Sequence, residues 1–155
     1  MISRKLGLIS AALAAVTLSA VTTAQTAFGD AEKAVEYRQK AFSIMRQNFA
    51  YLGDMVKGDV AWDQQLFAER AADFAKLATI PWPAFNTQGA QPGAGSDALP
   101  EIWDNWDDFQ ARATQFQSDA AALAEAAAGG DMGASKSAFM AAAKNCKACH
   151  DQYKD

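Results

Sequence analysis

Cys146, Cys149 and His150 are the residues whose types and spacing can do chemistry, in the run Cys146-Lys147-Ala148-Cys149-His150. On a helix, residues i and i+3 lie on one face about a turn apart. Two thiols so placed could close a disulfide, act as a redox dithiol, supply half a zinc site, or add to the two vinyl groups along one side of a porphyrin. Zinc wants four ligands, and the chain has only two cysteines and one histidine. A redox dithiol normally opens a helix that follows a strand, and this sequence offers no strand. A histidine directly after the second cysteine is the sign of covalent haem attachment. It comes four residues after Cys146, where it is set over the iron as an axial ligand. The spacing thus predicts one haem c, held by thioethers from Cys146 and Cys149, with His150 on the metal.

The elements that must position these residues are helical. Alanine is the largest share of a chain that is 50% hydrophobic, and alanine is the best helix former. Runs of β-branched residues are few. The pattern predicts an all-α, antiparallel up-down-up-down four-helix bundle with the haem in the core near the C-terminus. Gly29-Asp30 offers an N-cap for a first helix that runs to about Val56, before Lys57-Gly58. Its seam is Val35, Phe42, Met45, Phe49, Leu52 and Val56, with Arg38 on the same line. An arginine aimed at a core wants an anionic partner. The second helix starts near Asp63 and buries Phe67, Phe74 and Leu77.

A long connection from Pro81 to Leu99 then carries Pro-Trp-Pro and Gln-Pro-Gly-Ala-Gly, so it is not helical throughout. Loops of this length in compact domains are often functional. Pro100 suits the first turn of a third helix with the seam Ile102, Trp106, Phe109, Ala113, Phe116, Ala120, Leu123 and Ala127. Gly129-Gly130 ends it. Asp131 caps the fourth, whose seam is Met132, Ser135, Phe139, Ala142, Cys146, Cys149 and Tyr153. Both cysteines therefore face the bundle interior.

The first 24 residues read as a cleaved signal peptide. Arg4 and Lys5 form a positive start, Leu6 to Val21 is apolar and uncharged, and Thr22-Thr23-Ala24 supplies small residues for a cut after Ala24. The apolar run is shorter than the ~20 residues a spanning helix needs. Cleavage leaves residues 25–155 as one haem domain and takes the formal charge from −4 to −6, since Arg4 and Lys5 are the only charged residues before residue 25. The mature chain is expected to be acidic, periplasmic and free of the membrane. With no basic cluster, nucleic acid is not an expected partner.

With these elements placed, the chain resembles cytochrome c′ over essentially all of the mature sequence. The resemblance rests on Tyr37-Arg38-Gln39, Pro81-Trp82 with Phe85, Pro100-Glu101-Ile102-Trp103, and the C-terminal Cys-Lys-Ala-Cys-His-Asp-x-Tyr. It implies a five-coordinate iron that binds small gases, with the face opposite the histidine closed by an apolar side chain of the first helix. The residue at that position is Phe42, five after Tyr37. In an up-down-up-down bundle the start of the first helix is level with the end of the fourth, which also puts Val35, Arg38 and Phe42 nearest the iron. The resemblance further implies that Arg38 pairs with a haem propionate, that Trp82 and Phe85 wall the pocket, and that the protein is a homodimer through its first two helices. Outward-facing Gly53 and Met55 are candidates for that contact. One departure stands out: many members carry arginine directly after the tyrosine of the motif, and this chain has Lys154.

Two functions follow as expectations. Phenylalanine neither bonds to iron nor donates a hydrogen bond, so the pocket favours nitric oxide and carbon monoxide over dioxygen, whose bound form carries charge that needs a donor. The resemblance adds nitric oxide sequestration or transport. The alternative is a six-coordinate low-spin electron carrier with a methionine ligand and an unidentified redox partner. Met45 is the candidate ligand, one turn or about 5.4 Å beyond Phe42. Catalysis is not expected, since the iron's open face lacks an acid–base residue.

Overall fold

The computed structural model describes Phe28, residues 30–86 and residues 95–155. The leader and its cut after Ala24, Gly29 of the first cap, and residues 87–94 of the long connection lie outside the described residues. The elements are α1 (Ala31–Lys57), α2 (Gln64–Leu77), a 3-10 turn (Trp82–Phe85), α3 (Glu101–Asp104), α4 (Trp106–Ala128) and α5 (Met132–Tyr153). Four long helices, α1, α2, α4 and α5, form the antiparallel bundle. Among the described residues there is no strand, only an isolated bridge between Ala98 and Lys154.

The helix ends follow from local chemistry. Asp30, Asp63 and Asp131 each accept a backbone N–H three residues on, from Lys33 at 2.8 Å, Leu66 at 3.0 Å and Ala134 at 2.7 Å. Each such cap is worth about 1 kcal/mol against alanine. Gly58 closes α1 in the left-handed region at φ 88°, and its N–H reaches back to the Asp54 carbonyl, a conformation glycine adopts without a Cβ penalty.

Most of each seam is buried, but Leu77, Val56 and Trp106 are only half-buried, and Ala71 joins Phe67 and Phe74 on the buried face of α2. Met132 opens α5 but is 43% exposed, its neighbours Gly133 and Ala134 are exposed too, and the buried face of α5 begins at Ser135. The third helix is two helices. Asn105 leaves the helical region at φ −123°, ψ 46° and turns its side-chain amide back to the Glu101 carbonyl at 3.1 Å. α3 is thus a separate turn, and its Trp103 indole N–H donates to the Phe85 carbonyl at 3.1 Å. Gly53 and Met55 do not face outward. Both are buried in the α1 interior face. A Cβ at Gly53 would sit 3.3 Å from Phe139 Cζ, so glycine is what lets α1 and α5 approach there.

That approach shapes the molecule. At one end Phe49 stacks on Phe139 with ring centres 4.3 Å apart, and Leu52, Phe67, Phe74, Ala120 and Leu123 fill a continuous core. Toward the other end α1 and α5 diverge, while α2 stays packed on α1 and α4, and α4 on α5. The gap lies between the start of α1 and the end of α5. The 3-10 turn and the segment 95–99 close it from the side, through Arg38 and Gln39 of α1.

Candidate haem site

The gap is a cavity of about 540 Å³. Cys146 and Cys149 are half-buried on its α5 wall, and both are free thiols. His150 stands exposed at its rim. Burial pushes the Cys146 thiol up to about 11 and raises that of Cys149 as well, so neither is a ready thiolate at neutral pH. Desolvation against the pocket wall, then the charge of Lys154, lowers the His150 pKa. This favours the neutral imidazole, which is the form that binds metal. Among the described residues no group of three or more His, Cys, Asp or Glu could hold a metal ion by itself.

The facing walls are aromatic. Phe42 of α1 meets Trp82 edge-on at 5.8 Å and Phe85 at 6.3 Å. Trp82 is fixed by its indole N–H, which donates to the Ala78 carbonyl at 2.6 Å. Phe85 packs on Phe109 at 4.9 Å, and Phe109 meets Tyr153 edge-on at 5.5 Å. Phe42 and Phe49 are only half-buried because they face this space. Met45, deeper on α1, is 4% exposed and also lines the cavity.

At one end sits Arg38, 2% exposed. Its guanidinium lies 4.4 Å from the Phe85 ring centre. It donates to Ser96 Oγ at 2.8 Å and to the Ala84 carbonyl at 3.5 Å. Burial pulls its pKa down from the ordinary value. A snorkelling arginine would carry its head to water, and this one does not. The long connection thus has a structural role that its sequence did not reveal: Ser96 and Gly95 tie it to Arg38 and Gln39. Lys154 lines the cavity beside His150 and pairs there with Asp97 at 3.0 Å.

The chemistry of these walls fits a porphyrin. Two thiols a helical turn apart share one wall, apolar rings suit a flat apolar macrocycle, a buried cation lies at one end and could meet a carboxylate, and an imidazole occupies the rim. A four-helix bundle with this cavity and a Cys-x-x-Cys-His turn defines a c-type haem protein.

Comparison with known proteins agrees. Residues 33–154 match the family described as Cytochrome C'. A cytochrome c' of Halomonas halodenitrificans is 37% identical over 127 residues, which cover 79% of this chain and 96% of that protein. The solved cytochrome c prime from Shewanella frigidimarina is 41% identical, with a TM-score of 0.79 over 83% of this chain and 98% of that one. A nitric oxide complex of a cytochrome c prime variant from Alcaligenes xylosoxidans is 34% identical, with a TM-score of 0.76 over 83% of this chain and 98% of that one. The chain belongs to the cytochrome c′ family, and its cofactor is haem c.

Proposed function

We propose that this chain is a periplasmic haem protein that binds nitric oxide and carbon monoxide on a five-coordinate iron and sequesters or carries nitric oxide. The observation that carries the reading is Phe42. It is the α1 side chain braced against Trp82 and Phe85 in the cavity that also holds Cys146 and Cys149. It offers carbon where a donor or a ligand would otherwise be. The nitric oxide complex of the Alcaligenes xylosoxidans relative adds support.

In this reading Cys146 and Cys149 would hold the haem by thioethers, and His150 would supply an imidazole to its iron. The haem, when bound, provides an iron that accepts a diatomic ligand. Phe42 would cover the iron on the α1 side of the cavity and would have to move for a gas to reach it there. Trp82 and Phe85 wall the pocket and keep water from it. Arg38 neutralises a propionate. Absorption and resonance Raman spectra of both oxidation states test the reading. The expected result is high-spin iron. Low-spin iron in both states would favour the six-coordinate electron carrier, with Met45 as its ligand.

Arg38→Ala is expected to shift the reduction potential at low salt, because a propionate loses its charge partner in a site of low dielectric. Coincident potentials for the variant and the wild type would remove Arg38 from the haem site.

The same reading includes export and pairing. The leader 1–24 would be cut after Ala24, so the protein recovered from periplasm should begin at Gln25. Among the described residues no helix is long and apolar enough to cross a membrane. Tyr37, Ile44 and Tyr51 are 42%, 51% and 39% exposed and recur every seven residues along α1. Such a stripe suits a second copy of the same helix. It takes the place of Gly53 and Met55 as the proposed dimer contact. Sedimentation of the loaded protein as a monomer would exclude it. The protein is proposed to bind rather than catalyse, and its redox partner is unassigned.

A further inference from the structure

Tyr153, the last residue of α5, is 2% exposed and lines the haem cavity. Its hydroxyl donates to Asp108 Oδ2 of α4 at 2.5 Å. The same oxygen accepts Arg112 Nε at 2.6 Å. Arg112 in turn donates through Nη1 to the Ala148 carbonyl at 3.4 Å, inside the Cys-Lys-Ala-Cys-His turn. Its guanidinium lies 5.8 Å from the Tyr153 ring centre. An exposed arginine–aspartate pair four residues apart on one helix contributes little by itself. This pair differs because it also grips α5 at two points, two residues before His150 and three after it.

The far side of the same turn is held as well. Leu99 N–H donates to the Tyr153 carbonyl at 3.0 Å, and Asp155 N–H donates to the Asp97 carbonyl at 2.9 Å. Lys154 pairs with Asp97 at 3.0 Å. Rotation of the last turn of α5 about its axis would break contacts on both sides. Only Asp108 holds both the Tyr153 and the Arg112 contacts. Charge-assisted hydrogen bonds are short, directional and stronger than neutral ones. Groups behind a metal ligand fix its orientation and so tune the metal bond.

We infer that Asp108 is a positioning residue for the haem: through Tyr153 and Arg112 it sets the orientation of the His150 imidazole. Burial, then the hydrogen bond to Asp108, pushes the Tyr153 phenol up to about 12. The hydroxyl therefore stays protonated and remains the donor across the physiological range. The inference rests on His150 being the axial ligand.

The test is the iron–histidine stretching band in resonance Raman spectra of the loaded ferrous protein. Asp108→Ala removes the acceptor shared by Tyr153 and Arg112, and its band is expected to shift and broaden. Asp108→Asn keeps an acceptor for the tyrosine and should shift the band less. Tyr153→Phe and Arg112→Gln should each reproduce part of the Asp108→Ala effect. An Asp108→Ala band at the wild-type position and width would overturn the positioning role, even if that variant melts at a lower temperature. Should Asp108→Ala fail to accumulate with haem, an unmoved band in both Asp108→Asn and Arg112→Gln overturns the role, and a shift in either supports it. A wild-type ferrous protein with no iron–histidine band would instead overturn the assignment of His150, so the two failures are distinguishable.

Discussion

Carbon monoxide is expected to bind the ferrous Phe42→Ala variant ten- to a hundredfold faster or more tightly than the wild type. The reason is steric. Phe42 is braced edge-on against Trp82 at 5.8 Å and Phe85 at 6.3 Å, and Trp82 is itself pinned to the Ala78 carbonyl. On the proposed site, a gas reaching the iron from the α1 side would have to push the Phe42 ring out of these contacts. Crowding of that kind costs about 1–3 kcal/mol, which corresponds to roughly ten- to a hundredfold in a rate or an equilibrium constant. Alanine removes the obstruction and leaves no group to be displaced.

Two companion variants separate position from bulk. Phe42→Met puts a thioether where the ring was and is expected to turn the iron low-spin. Met45→Ala is expected to leave both the spin state and the gas rate alone. Met45 is 4% exposed and packed in the main core, so its loss should lower stability by about 2–5 kcal/mol. Stopped-flow mixing of the three ferrous variants with carbon monoxide reads all of this. If Met45→Ala changed the spin state while Phe42→Ala bound gas at the wild-type rate, the register assigned to α1 would be wrong, and the gas-binding proposal would go with it.

The register was legible because α1 repeats faithfully. Val35, Arg38, Met45 and Leu52 are all buried, as their spacing requires. Phe42 and Phe49 lie on the same line, but they face a cavity and are half-buried. Periodicity reports which way a side chain points, not whether protein or a cofactor lies opposite. The break at Asn105 was hidden because the apolar rhythm runs unbroken from Ile102 through Phe109 to Ala127, and a local departure in φ and ψ leaves it intact. Gly53 was misplaced for a related reason. A glycine carries no apolar signal, so its buried contact with Phe139 appears only in three dimensions. The tie from Ser96 to Arg38 spans 58 positions and joins a glycine-rich loop to a helix. No local pattern encodes a contact of that range. Asp108 and Arg112 read as an ordinary surface pair four residues apart, and only the placement of Tyr153 beside them reveals more.

The attachment itself gives the other large effect. Cys146 and Cys149 share one wall of the cavity, and both thiols are held protonated by burial. Each can add across one vinyl double bond, with sulfur joining one carbon and the thiol proton the other, so no oxidant is consumed. The two bonds would fix one edge of the macrocycle to α5, near His150 on the same helical turn. Acid and acetone together unfold the bundle and protonate His150. That treatment releases a haem held only by coordination and packing, but leaves thioethers intact. The native protein is therefore expected to keep all its colour in the precipitate. A variant with both cysteines changed to serine should release its haem to the organic phase, since the aromatic walls and Arg38 no longer hold it once unfolded. Either single serine variant retains one thioether and should keep its haem in the precipitate, with an altered absorption band from the surviving vinyl group. Release of haem from the native protein would sink the attachment through Cys146 and Cys149. Retention by the double variant would mean that a third side chain binds the macrocycle covalently, which the donor chemistry of this cavity does not provide.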